Sequence, residues 1–122
     1  MKFKDLGLCN EILNSINDLG YKEPTEIQEK AIPYILMGRD ILGCAQTGTG
    51  KTGSFIMPMV EILNSGKSKS RMPRSLILAP TRELAMQVSE EFNYINKSLK
   101  LQMALLIGGI SFTEQDIKLS KG

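Results

Sequence analysis

Residues 45–52, AQTGTGKT, set two glycines, a lysine and a hydroxyl in the order that a phosphate-binding loop requires. Backbone N–H groups converge on phosphate oxygens only where side chains are absent, which is the work of Gly48 and Gly50. A helix opening at Lys51 would add unpaired N–H groups and the positive end of its dipole. Lys51 would then reach the β- and γ-phosphates as a point charge, and the Thr52 hydroxyl would ligate Mg2+. Ala45 stands where the strict pattern has glycine, so the match is to a relaxed form, with Gln46, Thr47 and Thr49 filling the variable positions. The competing explanation is a glycine-rich turn without a ligand.

Upstream, residues 20–28 read GYKEPTEIQ. Thr25 followed three residues later by Gln28 is a capping box, and Pro24 would hold the chain extended ahead of the helix. A glutamine amide also presents one donor face and one acceptor face, matching the N6 and N7 edge of adenine, with Tyr21 placed to stack on the base. Taken alone, the segment fits either role. Two later turns have the same polar, glycine- or proline-bearing character: PTRELA at 80–85 and the pair Gly108-Gly109.

The elements that must position these residues follow from apolar spacing. Leu8, Ile12, Ile16 and Leu19 predict a first helix ended by Gly20, and Thr25 opens a second running toward Met37 through Pro33. Residues 41–45 predict a buried strand with Cys44 as a small interior residue. The pattern at 51–63 is helical, with a kink expected at Pro58. Residues 64–74, NSGKSKSRMPR, carry four basic residues and no periodicity, which fits a solvated loop or an RNA-facing patch. A strand at 76–79, a helix with Leu84, Val88, Phe92 and Ile95, a strand at 101–107 and a short closing helix complete the pattern. Strands alternating with helices predict an α/β fold, a parallel sheet with helices on both faces, and ligands at the carboxyl ends of the strands.

At 122 residues the chain is one domain by length, with 42% hydrophobic and 23% charged residues, which argues against disorder. A net charge of +2 permits a polyanionic partner without demanding one. No stretch approaches the roughly 20 apolar residues of a membrane span, so no membrane partner is expected. The start MKFKDLGLCNEIL does not read as a secretory signal, because acids interrupt it. Two cysteines in unlike contexts, Cys9 and Cys44, fit a reducing, cytoplasmic setting.

Read in order, Gly20-Tyr21-x-x-Pro24-Thr25-x-Ile27-Gln28, AQTGTGKT, PTRELA and Gly108-Gly109 closely resemble the DEAD-box RNA helicase family, as its Q motif, motif I, motif Ia and GG element. Phe3 matches the isolated aromatic of the Q motif, 17 residues ahead of Gly20. The resemblance implies a partial RecA-like phosphate-loop domain over 1–122, with a helical Q-motif segment at 1–38 and parallel βα units at 39–122. It implies ATP or ADP and Mg2+ as ligands. Phe3, Tyr21, Thr25 and Gln28 would lie on the base side, and residues 45–52 at the phosphates. Pro80, Thr81, Arg82, Gly108 and Gly109 would touch the sugar–phosphate backbone of single-stranded or duplex RNA, without reading its sequence. The cap and the adenine contact can coexist at Thr25 and Gln28. For Arg82 the alternative is a surface ion pair with Glu83 or Glu90.

The family's ATPase also uses an acidic D-E-A-D sequence at the end of a later strand, an S-A-T element, a T-P-G-R element and an arginine finger from a second domain. None occurs in this sequence, and loss of a finger alone costs about 10³ to 10⁵ in rate. The expectation is an amino-terminal helicase piece that binds ATP and RNA but neither unwinds RNA nor turns over ATP appreciably by itself. No catalytic set is complete within it. A three-stranded sheet would moreover expose an apolar edge and leave the piece marginally stable or prone to associate. The alternatives are a non-catalytic nucleotide- or RNA-binding module and an inactive gene remnant. The sequence says nothing of oligomeric state.

Overall fold

A computed structural model describes residues 1–66 and 73–108. A 3-10 turn, Phe3–Asp5, leads into four helices: α1 (Asn10–Asp18), α2 (Glu26–Leu36), α3 (Lys51–Ser65) and α4 (Arg82–Ile95). On α1, Ile12 and Ile16 fall on one face and are buried, while Leu8 is buried just ahead of the helix. The helix stops in a Schellman turn. Gly20 takes φ +84, its N–H donates to the Asn17 carbonyl (2.9 Å), and the Tyr21 N–H donates to the Ile16 carbonyl (3.0 Å). The end of α2 repeats the device at Gly38 and Arg39, with bonds to Ile35 and Tyr34.

Helix α3 is the centre of the packing, set against α2 on one side and α4 on the other, with α1 against α4. Its Ile56, Met57 and Val60 are fully buried and meet Ile12, Ile16, Ile32, Phe92 and Ile95 in one core. Phe3, Leu6 and Leu8 close that core from the amino-terminal side. Burial of such side chains contributes about 1.5–3 kcal/mol each, an upper range for side chains of this size.

Several expectations change. Helix α3 extends to Ser65, beyond the predicted 51–63, and the Pro58 within it is fully buried. On α4, Val88, Phe92 and Ile95 are buried but Leu84 is exposed, so the inward stripe begins one turn late. Cys44, expected inside, is exposed. Among the described residues no strand forms at 41–45, 76–79 or 101–107. Leu42, Leu76 and Leu78 are 94%, 77% and 84% exposed. An apolar run sets a preference for extended backbone, but a strand exists only where a neighbouring chain supplies the hydrogen-bonding ladder. The closing helix, Gly109 and residues 67–72 of the basic segment lie outside the described residues.

Candidate nucleotide-binding site

The first turn of α2 is closed as the sequence predicts. The Thr25 N–H donates to Gln28 Oε1 (3.0 Å), and Thr25 Oγ1 accepts from the Gln28 N–H at a long 3.5 Å. Gln28 does more than cap. Its Nε2 donates to the Gly50 carbonyl (3.1 Å), so the turn at 20–25 is tied to the glycine loop at 45–52 by a residue only 3% exposed. The amide still keeps one Oε1 lone pair and one Nε2 hydrogen.

Gly48 and Gly50 both adopt positive φ, +86 and +78, a region that costs any residue with a side chain. Their surroundings differ. A Cβ on Gly48 would meet nothing within 4 Å, whereas one on Gly50 would strike Gln28 Nε2 at 2.5 Å. Gly50 is thus required twice over, by its backbone and by the close approach of Gln28. Thr49 Oγ1 donates to the Gln46 carbonyl (2.6 Å), and Lys51 Nζ donates across the loop to the Ala45 carbonyl (3.1 Å). Lys51, Gln46 and Thr47 are exposed, and Thr52 is half-buried.

No side chain caps α3. Among the described residues nothing accepts from the N–H groups of residues 48–52. A helix end with free donors, an adjacent ammonium and space beside Gly48 fits a phosphate chain. The donor set also fits Mg2+ held mainly by phosphate oxygens and water. Thr52 offers one hydroxyl, and no cluster of three His, Cys, Asp or Glu occurs among the described residues.

Of the residues expected on the base side, Tyr21 is 36% exposed and its hydroxyl donates to Glu91 Oε1 (3.2 Å). Partial burial, and then the Glu91 charge and hydrogen bond, push its phenol above the ordinary tyrosine value. Phe3 sits in the hydrophobic core at 6% exposure. Toward the proposed RNA side, Thr81 Oγ1 accepts from the Leu84 N–H (3.1 Å) and caps α4. Arg82 Nη2 donates to the Gly108 carbonyl, joining two of the sequence-predicted RNA segments. Among the described residues Arg82 makes no ion pair with Glu83 or Glu90. Pro80, Thr81, Arg82 and Gly108 are all exposed.

Sequence reasoning missed Glu91, Glu61 and Arg74. The Glu61 carboxylate on α3 accepts from the Cys9 N–H at the start of α1 (3.0 Å). Burial chiefly, with Glu61 and Glu11 adding to it, pushes the Cys9 thiol above its usual range. Arg74 reaches back to the end of α3, donating to the carbonyls of Leu63 (2.9 Å) and Gly66 (3.0 Å). Nothing in the local sequence signals these contacts, because their partners are distant along the chain.

The chain is similar to known proteins over nearly its whole length. Residues 25–122 match the family model described as DEAD/DEAH box helicase. The probable ATP-dependent RNA helicase DDX47 of Homo sapiens is 44% identical over 119 residues, which is 98% of this chain and 26% of that protein. The ATP-dependent rRNA helicase RRP3 of Coccidioides immitis is 41% identical over 119 residues and 24% of its length. The chain therefore spans about a quarter of the curated relatives it matches. Among solved structures, the RNA helicase Prp28 of Chaetomium thermophilum bound to ADP superposes with a TM-score of 0.90 at 38% identity, covering 99% of this chain and 30% of that one. A DEAD box protein from Methanococcus jannaschii gives the same TM-score and identity, with 32% of its chain covered. The fold is accordingly that of a DEAD-box RecA-like domain, and the chain belongs to the DEAD/DEAH box helicase family.

Proposed function

We propose that these residues are the amino-terminal part of the ATP-binding domain of an ATP-dependent RNA helicase, holding ATP or ADP with Mg2+ and touching RNA through its backbone. The observation that carries this is the uncapped start of α3, bonded through the Gly50 carbonyl to the buried amide of Gln28. One side chain thereby fixes the distance between a base-side loop and a phosphate loop. The residual donor and acceptor of Gln28 suit adenine, and the N–H groups at 48–52 suit the phosphates. Lys51 would exchange its bond to the Ala45 carbonyl for a phosphate oxygen, a charge-assisted and stronger contact. Mg2+, when bound beside Thr52, would neutralise phosphate charge. The relatives' names, and the ADP in the Prp28 structure, support the same ligands.

Arg82, Thr81 and Gly108 are exposed and chemically suited to phosphate, and contacts of that kind hold RNA without reading its sequence. In the whole domain, 41–45, 76–79 and 101–107 would pair as a parallel sheet with helices on both faces; their apolar runs and the fold of the neighbours support it. These 122 residues by themselves would bind nucleotide without appreciable turnover, since no apolar run after the phosphate loop ends in an acidic pair. Unwinding would belong to the whole protein.

Titration with a fluorescent ADP analogue, competed by ADP and by GDP, tests the proposal. Saturable binding that ADP displaces far better than GDP is the expected result. Equal displacement would remove the adenine role of Gln28, and no binding would remove the proposal. Phosphate release by these residues alone, stimulated by RNA, would contradict the absence of turnover.

A further inference from the structure

We infer that Glu91 is a positioning residue that orients Tyr21 toward the nucleobase, which makes α4 part of the base site. The inference rests on the nucleotide proposal above. Tyr21 is held at both ends. Its N–H is fixed in the turn after α1 by the Ile16 carbonyl (3.0 Å), and its hydroxyl is fixed by Glu91 Oε1 (3.2 Å), 70 residues along the chain. A tyrosine ring has only two soft torsions, and a bond at the far tip restrains the first, the direction in which the ring points. A ring that is 36% exposed and restrained in this way is a preset stacking surface.

Glu91 is itself confined. A Cβ on the buried Gly53, third residue of α3, would lie 3.4 Å from Glu91 Oε1 and 3.1 Å from Gln28 Nε2. The glutamine amide and the glutamate carboxylate therefore close on the same glycine, and Tyr21 attaches to the second of them. Among the described residues no lysine or arginine pairs with Glu91, so its hydrogen bond goes to the phenol and not to a surface cation. A preset ring binds a base with less loss of side-chain freedom than a free one.

The test is nucleotide affinity of the whole protein, with the fluorescent ADP analogue as probe and inorganic pyrophosphate as a phosphate-only competitor. Tyr21→Phe keeps the ring and removes the hydroxyl. Glu91→Gln keeps an acceptor oxygen, and Glu91→Ala removes it. Glu91→Ala and Tyr21→Phe should each weaken ADP by about fivefold, the value of one hydrogen bond. The double variant should lose no more than either single one. Glu91→Gln should stay within about twofold of the parent, and pyrophosphate should bind Glu91→Ala unchanged. Parent-like ADP binding by Glu91→Ala, failure of Glu91→Gln to rescue, losses that multiply in the double variant, or an equal fall in pyrophosphate affinity would each overturn the inference. A parent protein that binds no ADP would instead bring down the nucleotide proposal, and this inference with it.

Discussion

Helices α2 and α3 begin beside one another, joined by the bond from Gln28 to Gly50, and their first turns are finished in opposite ways. Helix α2 spends its own side chains on its end, Thr25 and Gln28 bonding reciprocally. Helix α3 spends none, and starts from a left-handed glycine that brings no side-chain oxygen. A capped end is worth about 1 kcal/mol to the fold, so leaving one open sacrifices stability unless something else occupies the donors. On the proposed function, the difference separates a turn that holds the chain from a turn left open for an anion. Helix α4 falls with the first kind, since Thr81 caps it.

Substitutions test that division. Lys51→Ala should leave thermal stability nearly unchanged while weakening ADP by about 100-fold, as expected for a charge-assisted contact of about 3 kcal/mol; unchanged ADP affinity would mean the open end is not a phosphate site. Gln28→Ala should act on both helices, stranding the Thr25 N–H and leaving the Gly50 carbonyl with the Ser54 N–H alone, at a cost of about 1–2 kcal/mol in chemical denaturation. If that cost is below about 0.5 kcal/mol, the link between the turns is not a structural one. Thr25→Ala should remove about 1 kcal/mol of stability, whereas Thr52→Ala should remove little and instead reduce the Mg2+ dependence of nucleotide affinity. Identical stability losses in the two would erase the contrast.

The smallest effect concerns Tyr21. Its folded-state phenol lies above the ordinary value of 10.0, so its contribution to stability is complete below that value and is lost as pH rises through the raised one. A spectrophotometric titration should show a late tyrosine component that Tyr21→Phe abolishes and Glu91→Ala moves to lower pH.

What the sequence made legible was local. The Thr25–Gln28 box spans three residues, and the glycine stop after α1 lies two residues beyond the helix it ends. The bond from Gln28 to Gly50 spans 22 residues and that from Tyr21 to Glu91 spans 70, and no periodicity encodes either. The strands show the same limit: Leu76 and Leu78 give an apolar run, but pairing is decided elsewhere in the chain. Cys44 was misplaced for that reason, because its burial was inferred from the strand. The candidate ligand residues were legible through motif chemistry; the groups that hold them in place were not.

Arg74 carries a consequence for the stability of α3. Its guanidinium grips the carbonyls of Leu63 and Gly66, so the chain is fastened on both sides of the intervening stretch, at the negative end of α3. Loss of that clasp would free two carbonyls at the helix end and fray the last turn of α3 first. The carboxyl end of α3 could thus serve as a local gauge, with hydrogen exchange at the Gly66 N–H, bonded to the Ile62 carbonyl, registering whether the clasp has held.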